Sequence, residues 1–282
     1  MKEGTRRVCP LLEREAPSVI LPYAPEPWVL RRCLESGFVF LENPPRYEAL
    51  KHDYAWEVTS RRQTEDRRAA HPVLHTLSAA FKALRQRVLR RDRIGALARA
   101  CLRDSPPGGI RLLDLGCGWG GLLADLIASL PADLARRCVP HGIEISGELA
   151  RISHERLEPL GGSCVNDNAL EGLGSFPEDT FSLIVMSSFL EHELNPLPLL
   201  RRCRERLRPG GSIVVKVPNF ASLNRKVRGA QWCGFRWPDH VNHFTPDTLR
   251  AMARQAGLEV ERMTFLDRHP FSDNMYAVLK KP

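Results

Sequence analysis

The sequence predicts an α/β fold, a mainly parallel sheet with helices on both faces, behind a small irregular and helical N-terminal module. Three observations predict it. From Ile110 onward, short apolar runs alternate with stretches of helical spacing, and repeated strand–helix units bring strands together in parallel. The first of these runs ends in a glycine-dense turn, Gly116-Cys117-Gly118-Trp119-Gly120-Gly121, which opens a helix. The chain has 282 residues, 43% hydrophobic and 26% charged, enough for one large domain with an appendage and no need of covalent staples.

Residues 1–70 read as the irregular module. Pro10, Pro17, Pro22, Pro25, Pro27, Pro44 and Pro45 cut it into short extended pieces, with one strand at Gly37–Leu41 and an aromatic group, Tyr47, Tyr54 and Trp56, after it. Residues 71–107 read as an amphipathic helical connector or lid. Leu74, Leu77, Phe81, Leu84 and Val88 share one helical face, and Ile94, Leu97, Ala98 and Cys101 continue it. Ser105-Pro106-Pro107-Gly108-Gly109 is a linker, and the domain boundary is set there.

Residues 108–282 form the main domain. Strands are expected at Ile110–Leu115, Val139–Ile145, Ser163–Asn166, Phe181–Met186 and Ser212–Val217, the last after a Pro209-Gly210-Gly211 turn. Helices are expected at Leu122–Leu130, Gly147–Leu157 and Leu197–Leu207. A further helix runs to Gly257 from Thr245 as N-cap and Pro246 at the first helical position. Leu258–Phe265 and Met275–Leu279 close the chain as strands joined by a loop, which pair antiparallel at an edge.

The eight cysteines stand singly, with no C-x-x-C pair, and are expected to be reduced and mostly buried. No run approaches the roughly 18–20 apolar residues of a membrane span. Met1–Glu15 is charged throughout and lacks the apolar stretch of a signal peptide, so a cytoplasmic location is expected. The net charge of +8 rests on arginine clusters at Arg61–Arg62, Arg67–Arg68, Arg85–Arg93 and Arg201–Arg208. The last two fall on amphipathic helices, where charge coats a solvated face, and no aromatic residues interleave with them as in a strand-binding groove. A nucleic-acid partner is therefore not expected.

The segment Leu112-Leu113-Asp114-Leu115-Gly116-Cys117-Gly118 carries the chemistry: a buried strand, then a turn whose bare backbone lets a ligand approach at the carboxyl end of the sheet. Asp114, two residues before Gly116, would oppose a pyrophosphate but can accept from a cationic amino-acid moiety. Glu144 ends the second strand, where a carboxylate can accept both hydroxyls of a ribose.

This segment resembles motif I of the class I S-adenosylmethionine-dependent methyltransferases. Phe181–Met186 followed by Ser187-Ser188-Phe189-Leu190-Glu191-His192 is similar to that family's fourth strand and its L-E-H loop. Leu207-Arg208-Pro209-Gly210-Gly211 is similar to its L-x-P-G-G turn, and Val217-Pro218-Asn219 with His240-x-x-His243-Phe244-Thr245 resembles a subgroup of ubiquinone-pathway and sugar-modifying O-methyltransferases. The resemblance covers roughly residues 108–282. It implies a Rossmann-like seven-stranded sheet and S-adenosylmethionine as cofactor. By the same resemblance Asp114, Gly116, Cys117 and Gly118 hold the methionine end, Glu144 the ribose, Ile145 the adenine ring, Asp167 or Asn168 the adenine amino group, and Ser187 and Ser188 face the methyl group and the acceptor. Arg32–Phe40 is similar to a C-x-x-C-G zinc knuckle with Ser36 in place of the second cysteine, and Cys9-Pro10-Leu11-Leu12 also keeps one cysteine. A structural zinc needs four ligands, so this module is expected to be degenerate and metal-free.

Methyl transfer from a sulfonium is an in-line displacement that depends on alignment, and an oxygen or nitrogen nucleophile usually needs a base. His192, His240 and His243 are the candidates, each weighed against a purely structural role. Residues 219–245 form an insertion whose Trp232, Phe235 and Trp237 are expected to wall an acceptor pocket, against the alternative that they only cover the sheet edge. Glu191-His192 with His240 or His243 resembles the metal site of small-RNA 2′-O-methyltransferases, but Ser188 stands where that family has another carboxylate, and no metal is expected. The expected function is methylation of oxygen or nitrogen on a small-molecule acceptor of sugar, lipid-precursor or secondary-metabolite type. Competing readings are a non-methylating use of the same cofactor, a nicotinamide oxidoreductase, and a binding protein that keeps the fold.

Overall fold

The computed structural model describes residues 6–45, 92–103 and 105–282. Tyr47, Tyr54, Trp56, the arginines at 61–68 and 85–91, and the apolar stripe from Leu74 to Val88 lie outside the described residues. Three short strands come first, β1 (Ser18–Leu21), β2 (Leu30–Cys33) and β3 (Val39–Leu41), and then helix α1 (Arg93–Leu102). The main domain follows as β4 (Ile110–Leu115), α2 (Gly121–Ala128), α3 (Ala132–Ala135), β5 (Cys138–Glu144), α4 (Gly147–Leu157), β6 (Ser163–Asn166), α5 (Ala169–Gly172), β7 (Phe181–Ser187), α6 (Pro196–Arg206) and β8 (Leu207–Pro218). Next come α7 (Leu223–Arg228), β9 (Asn242–His243), α8 (Pro246–Gln255), β10 (Glu259–Arg262) and β11 (Asn274–Lys280).

Seven strands form one sheet in the order β10-β11-β8-β7-β4-β5-β6. β4 to β8 run parallel, while β11 is antiparallel to both β8 and β10. The order reverses between β4 and β7, so the chain leaves the sheet in opposite directions there and opens a crevice at the carboxyl ends of both strands. Strand periodicity sorts the core. Ile110, Leu112, Leu183, Val185 and Val214 pack with Ile94, Leu97 and Leu102 of α1 and Leu123, Leu126 and Ile127 of α2. Leu113, Leu115, Ile184, Met186, Ile213 and Val215 point the other way, onto α6 and α8. Thr245 caps α8 in a reciprocal capping box with Thr248, with Pro246 in the first turn, as its sequence signals.

Three expectations are corrected. The N-terminal segment holds three strands, not one: β1 and β2 pair antiparallel, and β1 sits at the sheet edge, where the flanking Pro17 and Pro22 are tolerated. Pro209-Gly210-Gly211 lies inside β8 as an irregularity: the pairing with β7 skips from Phe181↔Leu207 to Leu183↔Ser212, and Gly210 takes a φ of 73°. Arg206 is not on the solvated face of its helix but buried, its Nε donating to the Leu173 carbonyl at 3.0 Å.

The N-terminal strands are not a free appendage. β3 pairs with β9 of the 219–245 insertion, Val39 opposite His243 and Phe40 opposite Asn242, giving a second sheet in the order β1-β2-β3-β9. Cys9 and Cys33 come together with Ser36: the Cys9 Sγ lies 3.3 Å from the Ser36 hydroxyl, and the Ser36 N–H donates to the Cys33 Sγ at 3.4 Å.

At the far side of the sheet, α1 is fastened by Asp267, whose side chain is fully buried. One carboxylate oxygen accepts from the Arg93 guanidinium, the other from the Thr264 N–H at 2.9 Å and hydroxyl at 2.6 Å and from Arg262 at 3.3 Å. Burial alone would raise its pKa, but the hydrogen bonds from Thr264 and Arg93 outweigh it and hold the group below the usual carboxylate range. Its stabilisation is therefore present above the unfolded-state pKa and lost as pH falls through the lower folded value. Asp267→Ala is expected to cost about 3–5 kcal/mol in urea unfolding at pH 7, because it strands a partly buried Arg93, and to flatten the wild-type loss of stability below about pH 4.

Candidate functional site

A cleft of about 660 Å³ opens at the carboxyl ends of β4, β5, β7 and β8, at the point where the strand order reverses. One half is built on β4 and β5. Their parallel register sets Asp114 opposite Gly142 and Leu115 opposite Ile143, so the two strands end side by side and the chain turns at Gly116. Gly116 has a φ of 68°, and a Cβ there would meet the Phe189 ring at 2.5 Å. Gly118 has a φ of 55°, and a Cβ there would meet nothing, so its bare backbone faces the open cleft. The Gly118 N–H donates to one Glu144 carboxylate oxygen at 2.9 Å and the Ser146 N–H to the other at 2.9 Å, which locks the turn to the end of β5. Behind the turn, the Cys117 Sγ lies 3.2 Å from the Ser153 hydroxyl and 3.5 Å from the Cys164 Sγ.

Asp114 is buried at the strand end and lines the cleft. Burial, and then the neighbouring Glu144 charge, push its pKa up to about 8. Farther along the same half lie Ile145, Leu149, Asp167 and Ala169. Asn168 does not line it: its side chain accepts from the Glu171 N–H at 2.9 Å and caps α5.

The other half is made by the loop after β7 and by the 219–245 insertion, with Ser187, Ser188, Phe189, His192, Glu193, Lys216, Arg236 and Asp239 on its walls. Ser188 takes a left-handed φ of 57°, held by its N–H donating to the Lys216 carbonyl at 2.9 Å. The two segments are stitched together. The Val241 and Asn242 N–H groups both donate to the Glu191 carbonyl, at 2.9 and 3.0 Å, and the Asn242 side chain donates to the Glu193 and Leu190 carbonyls at 2.6 and 3.2 Å. Arg7 spans the seam, its guanidinium donating to the carbonyls of Leu194 and Val241 and to the Asn242 side chain. Burial lowers its pKa to about 10, where it remains charged at neutral pH, and it faces Glu193.

Of the three candidate histidines, only His192 reaches the cleft. Its Nδ1 lies 3.0 Å from the Asp239 carbonyl, and burial with the Arg236 charge lowers its pKa to about 4. His240 stands behind it, ring centroids 4.7 Å apart and edge to face, with Nδ1 2.8 Å from the Gly234 carbonyl and a pKa held well below the usual value by burial. A ring nitrogen of each and a carboxylate oxygen of Glu191 lie within 4.8 Å of one another. Glu191 is buried, its Oε2 has no hydrogen-bond partner, and burial pushes its pKa up to about 7.

His243 is elsewhere. It is enclosed by Phe220, Phe235 and Trp237, and burial lowers its pKa to about 3. The expected acceptor walls Trp232, Phe235 and Trp237 are also out of the cleft. They pack on Phe220, Leu30 and Val39, and the Trp232 indole donates to Asp273 at 2.7 Å. Large aromatics here seal the insertion against the N-terminal sheet, burying their rings on Leu30 of β2 and Val39 of β3. The sequence reading missed Trp119, Phe189, Lys216, Arg236 and Asp239. Lys216 was legible as the one charge in the buried run Ile213-Val214-Val215-Lys216-Val217, whereas Arg236 and Asp239 sit in an irregular loop with no periodic signal.

A family described as a methyltransferase domain matches residues 79–262. Ubiquinone biosynthesis O-methyltransferases are similar to this chain: that of Xanthomonas axonopodis pv. citri is 29% identical over 174 residues, 58% of this chain and 69% of that protein. That of Cereibacter sphaeroides is 33% identical over 162 residues, 55% and 62%. The match thus spans about two thirds of the length of these relatives. Among solved structures, a methyltransferase in complex with the Trm112 activator of Haloferax volcanii has a TM-score of 0.52 at 17% identity, covering 68% of this chain and 91% of that one. Magnesium protoporphyrin IX methyltransferase of Synechocystis, with bound S-adenosylhomocysteine (SAH), has a TM-score of 0.50 at 13% identity, covering 70% and 85%. The two structures share the fold, and the family match takes in the glycine turn, both carboxylates and the loop after β7: the chain belongs to the methyltransferase-domain family and is an S-adenosylmethionine-dependent methyltransferase.

Proposed function

We propose that the chain methylates a hydroxyl oxygen of a small polar acceptor, with the cofactor in the Asp114–Glu144 half of the cleft and the acceptor in the half around His192. The observation that carries this reading is the division of one cleft by the segment Ser187–Phe189, with two carboxylates and a glycine turn on one side and His192, Lys216, Arg236 and Asp239 on the other. The cofactor fits the first half chemically. A buried carboxyl suits an ammonium group, the open space over Gly118 admits a ligand against the backbone, and Glu144 and Asp167 offer acceptors for hydroxyl and amino groups. When bound, S-adenosylmethionine supplies an electrophilic methyl group on sulfonium. The chain's residues then align the acceptor oxygen with it, and alignment accounts for a large share of the rate in an in-line displacement. Names of the similar proteins favour oxygen.

His192 is the imidazole that touches the acceptor, while His240, Asp239 and Arg236 fix its position. Lys216 and Arg236, with Asp239 and Glu193 beside them, give this half donors and acceptors suited to a polar acceptor.

Two outcomes follow. Asp114→Asn and Glu144→Gln each remove a carboxyl acceptor and are expected to weaken SAH binding by roughly 10- to 150-fold, about 1.5–3 kcal/mol, in calorimetric titration. The thermal midpoint should be kept in Asp114→Asn and lowered in Glu144→Gln, whose amide cannot accept from both the Gly118 and Ser146 N–H groups. Second, because Asp114 carries a proton up to about pH 8 and an ammonium group favours the carboxylate, binding should release a proton. SAH affinity should then rise with pH from 6 to 8, by up to about tenfold per unit, and level off above 8. Titrations in buffers of different ionisation enthalpy read the proton count directly, and a pH-independent affinity would remove Asp114 from the contact.

A further inference from the structure

We infer that Glu191, His192 and His240 form a binding site for one divalent transition-metal cation, open toward the acceptor half of the cleft. Four observations carry it. The donor atoms converge, one from each residue within 4.8 Å of the others, close enough for a single ion to draw them onto itself by small side-chain movements. The Nδ1 of His192 faces the Asp239 carbonyl at 3.0 Å and the Nδ1 of His240 faces the Gly234 carbonyl at 2.8 Å. A carbonyl only accepts, so each Nδ1 carries the proton and each Nε2 holds a lone pair. A backbone carbonyl behind each ring is also the arrangement that orients metal-bound imidazoles. Third, the Glu191 Oε2 is buried without a hydrogen-bond partner, a costly state that a cation would relieve. Finally, His192 borders the cleft, which leaves coordination positions to a substrate.

Two imidazoles and one carboxylate with open positions suit zinc, iron(II), cobalt(II) or manganese(II) rather than calcium or magnesium. The inference rests on the reading that the acceptor occupies this half. A cation here would take one or two acceptor oxygens, so the fitting class is a vicinal pair such as an ortho-dihydroxylated ring. Coordination weakens the O–H bond, whose proton leaves to solvent at the cleft mouth. The oxygen then bonds to the methyl carbon as the carbon–sulfur bond breaks, its electron pair staying on sulfur. A coordinated cation removes the need for a general base.

The test uses the full chain, stripped with a chelator, and cobalt(II) alone as the probe. One equivalent is expected to bind with the visible bands of nitrogen and oxygen ligation and without the intense near-ultraviolet absorption of thiolate ligation, which separates this site from Cys9 and Cys33. Glu191→Gln and His240→Gln should each weaken binding by at least about tenfold to a hundredfold, with SAH affinity within about twofold of wild type. Absence of stoichiometric binding, thiolate bands, or binding unchanged in both variants would overturn the inference. Failure of the cation site with SAH binding intact leaves the cofactor reading in place, and loss of SAH binding with the cobalt spectrum intact does the reverse.

Discussion

The site depends on the way two parallel strands end. β4 and β5 are held in register through six residue pairs, so Asp114 and Glu144 are delivered to the same edge of the sheet by backbone hydrogen bonds and not by loop conformation. The turn between them has little freedom. Gly116 is wedged under Phe189, and Gly118 donates its N–H to Glu144, so the first strand, the turn and the second strand form one closed hydrogen-bonded unit. Burial, and then the neighbouring Glu144 charge, raise the proton affinity of Asp114, which marks this strand end as a place suited to a cationic group.

The second half of the cleft is an assembly of three chain segments far apart in sequence. The loop after β7 supplies Glu191 to Leu194, the insertion supplies Asp239 to His243, and the N-terminus supplies Arg7 and β3. None of these segments has a regular element long enough to fix itself. Backbone carbonyls of the first receive N–H groups of the second, and a buried guanidinium closes the seam from the third. The insertion can therefore change without disturbing the Asp114–Glu144 half, whose geometry is set by the sheet.

Elements whose residues follow a simple period were legible in the sequence. β4 to β8, α4 and α8 fall within one or two residues of expectation apart from β8, which also takes in the glycine turn before it, and Asp114, Glu144, Ile145, Asp167, Ser187, Ser188 and His192 line the cleft as expected. What period cannot reveal is which face of an irregular loop turns inward. Trp232, Phe235 and Trp237 looked like pocket walls because they are large, apolar and near the histidines, yet of the strands that bury them only β3 was recognisable in the sequence, and neither β2 nor the pairing of β3 with the insertion was. His243 went with them. Asn168 lost its place because the short helix α5 needed a cap one residue after Asp167. Convergence of His240 with Glu191 depends on a contact spanning about fifty residues, and no local pattern encodes it.

A crystal structure of the chain with SAH bound tests the central claim most directly. The account predicts the amino-acid end of the ligand beside Asp114 and the Gly118 backbone, with the ribose hydroxyls on Glu144 in place of one of its present backbone partners. Ligand density anywhere else on the molecule, or a bound ligand that leaves both carboxylates without contact, would contradict it.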